Sequence, residues 1–307
     1  MRVFLKILPV IAAVLSLGGC FTGIETTPKI TRKHVERSGV ATTPEQELAA
    51  QLAPLPLNQW LPGHRLSVAD TKLSMLLTGA PELNIGDTLV YESIRPTVTF
   101  TGDTTLVLTF AHGSQSVDYR TELSPATLAA ANRFEMPFTI DLELVDLCRR
   151  KLVGQKLYIL TSQRIDSMGL NTAGQKFIPV TITNVTAGSL NYPLTVEFIV
   201  DDSSLGTNPQ ATPMTAGSSS GATRNFDRVF SLTDPRLRYP AIREEFWPLI
   251  RQSRVVEGMT PDECRISIGS PGDVIKRLDG TSYFERWTFE NGTYLLFIDG
   301  ILSEFRR

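Results

Sequence analysis

The side chains with the widest chemical reach in this chain are few: Cys20, Cys148 and Cys264, and His34, His64 and His112. Cysteine and histidine hold a transition metal when spacing gathers several of them, and neither His-x-x-x-His nor Cys-x-x-Cys occurs here. A nucleophile needs a base held against it, and no Ser-x-x-Lys pair supplies one. Asp201-Asp202-Ser203-Ser204-Leu205-Gly206 offers clustered oxygens, but it lacks the alternating ligands and terminal Glu of a calcium loop and reads as a polar loop. Gly269-Ser270-Pro271-Gly272 carries a proline where a phosphate cradle wants N–H donors. No catalytic, metal or cofactor site is expected, and the histidines read as solvated surface residues.

Cys20 is the exception, because of what precedes it. Arg2 and Lys6 lead an apolar run from Ile7 to Leu15, which closes on Leu17-Gly18-Gly19-Cys20. A basic start, a short apolar stretch and small residues before a cut site describe a secretory signal. The run is shorter than the roughly 20 residues that span a bilayer. Ending on Cys, it resembles the lipobox of bacterial lipoproteins. That resemblance implies cleavage before Cys20, diacylation of its thiol and attachment to a membrane. Phe21, where an Asp would retain such a protein in the inner membrane, points to the outer membrane. The absence of an acidic cluster at Thr22-Gly23-Ile24 favours a periplasm-facing position.

The elements that follow must be placed around that anchor. The formal net charge is −2 and turns more negative once Arg2 and Lys6 leave, so nothing marks a nucleic-acid binder. Apolar residues make up 42%, enough for packed cores. Residues 21–58 read as a flexible tether with a short helix over 44–52, ended by Pro54 and Pro56. Cys148 and Cys264 lie far apart among apolar neighbours and read as two separate buried thiols.

Two stretches then look alike. Gly63-His64-Arg65-Leu66-Ser67-Val68 matches Gly154-Gln155-Lys156-Leu157-Tyr158-Ile159, and Gly86 and Gly174 each reach a phenylalanine, Phe110 and Phe198, 24 residues on. Period-two runs between them argue for small antiparallel sheets, one over 59–135 and one over 136–202. A Ser/Thr/Gly/Pro-rich stretch over 203–235 reads as a linker.

The last segment, 236–307, is the most legible. Ile242, Phe246, Leu249 and Ile250 follow helical spacing over 243–253, with Pro248 either opening the helix near Trp247 or kinking it. Thr260-Pro261-Asp262-Glu263 is a capping box for a second, short helix that Gly269 and Pro271 close. Strands over 283–289, 293–298 and 301–305 follow, joined by Asn291-Gly292 and Asp299-Gly300. The expected fold class is therefore α+β: two small antiparallel β domains, a repeat of one another if the match is structural, then a domain of two helices and a three-stranded meander.

Gly258-Met259-Thr260 with Gly269-Ser270-Pro271 eleven residues on, then Glu285-Arg286-Trp287-Thr288-Phe289 and Tyr294-Leu295-Leu296-Phe297-Ile298-Asp299-Gly300-Ile301-Leu302, resembles the BamE/SmpA/OmlA lipoprotein family. The resemblance covers about 60 residues; the overall arrangement resembles envelope lipoproteins of the Bacteroides type. It implies two helices on a small sheet, no catalysis, and binding to another envelope protein beside the machinery that inserts β-barrels. Similar units in secreted enzyme inhibitors grip their targets with an open sheet face, which leaves inhibition as an alternative. A carbohydrate-binding or hydrolytic role for the β domains would need convergent carboxylates or stacked aromatics in a cleft. Trp287 and Phe289 are the candidate partner contacts, although alternation alone does not say which sheet face is open. Asp87-Thr88, Asp103-Thr104 and Asp166-Ser167 also match a short O-glycosylation acceptor pattern.

Overall fold

The computed structural model describes residues 42–130, 134–166, 168–202, 204, 208–217 and 224–306. Cys20, Ser167 and most of the expected tether lie outside them. What the tether was expected to contain at its end is instead packed. Thr43 caps helix α1 (Pro44–Gln51) through a reciprocal box with Gln46. Ala49 and Leu52 then enter a hydrophobic core, and Leu57 and Trp60 enter another. Glu45 is buried and accepts hydrogen bonds from the Ser231 hydroxyl at 3.0 Å and the Leu232 amide at 3.1 Å. Three buried apolar side chains within 21–58 (Ala49, Leu52 and Leu57) and a satisfied carboxylate are too much buried surface for a free leader, so the body begins by Thr43 rather than after residue 58.

The first sheet holds β1 (Arg65–Val68), β2 (Thr88–Val98), β3 (Thr104–His112) and β4 (Gln115–Arg120). After helix α2 (Pro125–Ala130) it gains β5 (Thr139–Asp141), giving the order β4-β3-β2-β1-β5. The second begins with helix α3 (Leu142–Leu152) and strands β6 (Lys156–Ile159), β7 (Gln163–Ile165) and β8 (Asn171–Ala173). It continues through β9 (Ile178–Ala187), β10 (Leu194–Val200), β11 (Gln210–Met214), helix α4 (Phe226–Val229) and β12 (Phe230–Ser231). Its order is β12-β6-β9-β10-β11-β7-β8.

Leaving out the β7–β8 hairpin, the two sheets share one strand order, and the match reaches single residues. Leu66 pairs with Leu89 as Leu157 pairs with Val180. Gly63 donates to the Tyr91 carbonyl at 2.8 Å, and Gly154 to that of Ile182 at 2.9 Å. Both glycines have positive φ, +98° and +83°, which explains their type. Glu92 is an extra residue between the pairs Tyr91–Phe110 and Ser93–Thr109, and Thr183 is its counterpart between Ile182–Phe198 and Asn184–Glu197. A bulge kept at one position of both sheets turns each long strand the same way. The sequence match errs at one point: the counterpart of Gly86 (φ +94°) is Phe177 (φ +57°) and not Gly174. Phe177 holds that unfavourable conformation because its ring is buried against Trp247 at 5.9 Å in the third core.

The expected linker over 203–235 instead supplies β11 and β12 to the second sheet and α4 to its core. Thr212, Pro213 and Met214 are buried on β11, and Phe226, Val229 and Phe230 fill the core with Phe198. Likewise Thr139–Asp141, expected in the second domain, pairs with β1 of the first sheet.

The third sheet has four strands, not three: β13 (Asp273–Asp279), β14 (Ser282–Thr288), β15 (Tyr294–Ile298) and β16 (Ile301–Arg306), in that order. The helices before it are α5 (Pro235–Arg238), α6 (Trp247–Arg251) and α7 (Pro261–Ile268). Pro248 sits in the first turn of α6, which is therefore shorter than the expected 243–253. Asp299 and Gly300 take φ of +51° and +79° in a two-residue hairpin, as their types suggest. Asn291-Gly292 lies in a longer loop between the paired Thr288 and Tyr294.

Candidate interaction face

The third sheet has one covered face and one open face. Trp287 on β14 pairs with Leu295 on β15, and both are wholly buried with Phe297 and Leu302. Met259, Cys264 and Ile250, all buried, complete this core from the helical side. The Trp287 indole donates to Glu285 Oε1 at 2.6 Å, lies under the Arg265 guanidinium at 4.8 Å and packs on Phe297 at 4.9 Å. It has no surface to offer a partner, which corrects its expected role as a contact. Phe289 follows the end of β14 and packs on Trp287 at 6.5 Å. It is half-buried and lines a 410 Å³ cleft with Lys176, Ser162 and Asn291, so it is not part of the sheet's open surface.

Strand alternation puts the neighbours of Trp287 on the other side. Arg286 pairs with Leu296, and Phe284 with Ile298, which pairs in turn with Ile301. Ile275 of β13 stands opposite Arg286, and Arg277 opposite Phe284 with its guanidinium 5.9 Å from that ring. Phe284, Leu296 and Ile298 are half-buried, Ile275 is 47% exposed and Ile301 42% exposed. None of the five belongs to the core below. The result is a face on which Phe284, Leu296, Ile298 and Ile301 lie beside charges of both signs, Asp273, Arg277, Arg286, Glu304 and Arg306, with Arg286 standing between Ile275 and Leu296. Partly exposed apolar side chains grouped among charges make this a candidate protein-binding surface. Beside it, all seven residues of β13 are exposed, and among the described residues the strand has no partner on its outer edge.

On the helical side of this sheet, the carboxylate of Glu263 ties the start of α7 to the segment carrying Arg243. Glu263 is wholly buried and accepts from Arg243 Nε at 2.9 Å, Arg243 Nη2 at 2.7 Å, the Arg243 amide at 3.1 Å and the Thr260 amide at 2.8 Å. Burial alone would push its pKa up, but these bonds hold it below the usual 4.5. A second lock joins this region to the second sheet. Lys176 Nζ donates to the Ile266 and Ser267 carbonyls at 2.6 and 2.7 Å, placing a cation on the last turn of α7. Burial pushes its pKa down to about 8.

The remaining reactive side chains are dispersed. Cys148 and Cys264 are free thiols in separate cores, each pushed up to about 12 by burial. Neither should react with iodoacetamide in the native protein at pH 8, and both should react in denaturant, as peptide mass mapping will show; rapid native alkylation of either would contradict their placement. His112 lies 3.2 Å from Asp87 at the surface. His64, expected on the surface, is buried: it stacks on Trp60 at 4.0 Å and faces Asp141. Sequence reasoning missed this cluster because Asp141 reaches Trp60 and His64 only through the pairing of β5 with β1. Among the described residues, no three His, Cys, Asp or Glu side chains converge as a metal site would require. No helix among them is long and apolar enough to cross a membrane. Thr88 and Thr104 of the acceptor-like pairs are exposed at strand starts.

Comparison with protein-family models, with curated proteins and with solved structures finds no match to this chain.

Proposed function

We propose that this chain is an outer-membrane lipoprotein, anchored through acylated Cys20 and facing the periplasm, that works as a non-catalytic interaction module. Its parts are two β modules of one topology followed by a BamE-like helix–helix–sheet module, and the last of these carries the binding surface. The observation that supports this most directly is the uncovered apolar face of Phe284, Leu296, Ile298 and Ile301, in a region whose opposite face is fully packed. The partner is another envelope protein, with an apolar surface complementary to that face.

The test has two parts. In cells fed a clickable palmitate, the chain should be labelled and sediment with outer membranes, whereas Cys20→Ser should be unlabelled and soluble. Crosslinking in intact cells should then capture an envelope partner from the wild type. Recovery of barrel-assembly subunits supports the assembly role; capture of a single soluble enzyme instead would make the chain an inhibitor. An unlabelled wild type would remove the anchor and the address inferred from it.

A further inference from the structure

The 410 Å³ cleft beside Phe289 lies where the second sheet meets the third module. Ser162 and Lys176 enter it from segments between strands of the second sheet, Ile268 from the end of α7, and Phe289, Asn291 and Thr293 from the turn between β14 and β15. Junctions of this kind are where small-molecule sites concentrate, and the volume suits one. Among the described residues lining it there is one cation, Lys176, and no carboxylate.

The positive charge here has no acidic side chain to answer it. Lys176 gives two of its three N–H donors to the Ile266 and Ser267 carbonyls, and its Nζ stands 5.1 Å from the centre of the Phe177 ring. No carboxylate lies within ion-pair distance of it among the described residues. Behind the cleft wall, the buried Arg164 guanidinium donates to the Thr161 carbonyl at 2.6 Å and to Gln175 and Gln210, all neutral acceptors. Arg224, also buried, donates to the Pro213 carbonyl, Gln163 and Thr212, again neutral. Burial pushes Arg164 down to about 10 and Lys176 to about 8, with no acidic group raising either. Three cations withdrawn from water without an acidic partner leave a positive field, and an adjacent cleft concentrates it. Donors in the cleft are also unspent. Asn291 Oδ1 accepts from the Thr293 amide at 3.1 Å, which leaves the Asn291 NH2 group without an acceptor among the described residues. The Ser162 and Thr293 hydroxyls make no hydrogen bond among them either. An ammonium and a carboxamide NH2 can only donate, so they select an acceptor-rich anion, and a cationic ligand would meet Lys176 as a like charge.

We propose that this cleft binds a small organic oxyanion. Its carboxylate or phosphate oxygens take the third N–H of Lys176 and the Asn291 NH2 group, and its apolar body lies on Phe289 and Ile268. The site is independent of the partner-binding sheet face, so either can fail without the other.

Nitrogen–proton NMR titration of the purified full chain with benzoate, benzamide, benzylammonium and inorganic phosphate tests this. Benzoate should saturate, with shifts confined to 160–162, 268–269 and 289–293. Its neutral and cationic isosteres, and phosphate, which has no apolar body, should bind at least tenfold more weakly. Asn291→Asp keeps the acceptor for the Thr293 amide and replaces the donor with a negative charge. It should weaken benzoate at least tenfold without shifting the melting temperature. Ser162→Phe, which fills the cleft and leaves both polar partners in place, should abolish binding and keeps the test sound should Asn291→Asp fail to fold. Equal affinity for benzoate and benzamide, phosphate matching benzoate, unchanged affinity in Asn291→Asp, or no saturating shift in the cleft up to millimolar benzoate would overturn the proposal.

Discussion

Trp287→Ala should destabilise the third sheet by about 4 kcal/mol, whereas Phe284→Lys, three positions earlier on the same strand, should change stability by less than about 1 kcal/mol and remove partner capture. The contrast follows from the two faces. Trp287 fills the centre of the core with Phe297 and holds Glu285 by its indole. Truncation leaves a cavity the size of a ring system and frees a carboxylate that otherwise faces only Lys276 at 3.6 Å. Phe284 is half-buried on the open side, where a lysine stem lies along the neighbouring apolar atoms and its head reaches water. Denaturant unfolding followed by near-ultraviolet dichroism reads the first effect, and crosslinking yield reads the second. Similar stability losses at both positions would mean that the outer face is also core.

Glu263→Ala should cost about 3 kcal/mol, because it removes a helix cap and leaves the Thr260 and Arg243 amides without their acceptor. Its pH dependence has a defined sign. The folded-state pKa is depressed, so the stabilisation is fully present above the unfolded value, near 4.5, and is lost as pH falls through the folded value. Wild type should therefore lose stability on acidification below about pH 4.5 more steeply than Glu263→Gln, which has no charge to protonate there. Glu45 shifts in the same direction: burial raises its pKa, and hydrogen bonds, those from Ser231 and Leu232 among them, outweigh it. Part of the acid sensitivity therefore remains in the Glu263 variant. A variant whose stability against pH superimposes on the wild type would exclude Glu263 as a source of acid lability.

Features specified by local chemistry were legible before any coordinates. The Thr260–Glu263 box and the Asp299-Gly300 hairpin depend on a few adjacent residues, and the structure has both; of the two readings open for Pro248, it has the one that opens the helix. The duplicated strand pattern was visible for the same reason: Gly63 and Gly154 satisfy identical backbone demands. Elements fixed by distant partners were not. Strand β13 hid because adjacent Lys276 and Arg277 break its alternation, and only its pairing with β14 defines it. The 203–235 segment has a loop's composition, and Phe226, Val229 and Phe230 matter only because a core assembled from side chains as distant as Ala49 and Cys148 receives them. The outer face of the third sheet was half legible. The sequence placed Trp287 and its neighbours on a sheet, but the covered side is decided by α6 and α7 folding back, which no local pattern records.

The outer face of the third sheet is the surface proposed to meet a partner. A photo-activatable amino acid placed at Phe284 and, as a control, at Arg150 of α3 tests this directly in living cells. Crosslinking from position 284 to one discrete envelope protein, with none from position 150, is the expected result. Equal or absent crosslinking at position 284, in cells where the protein is folded and membrane-bound, would contradict it.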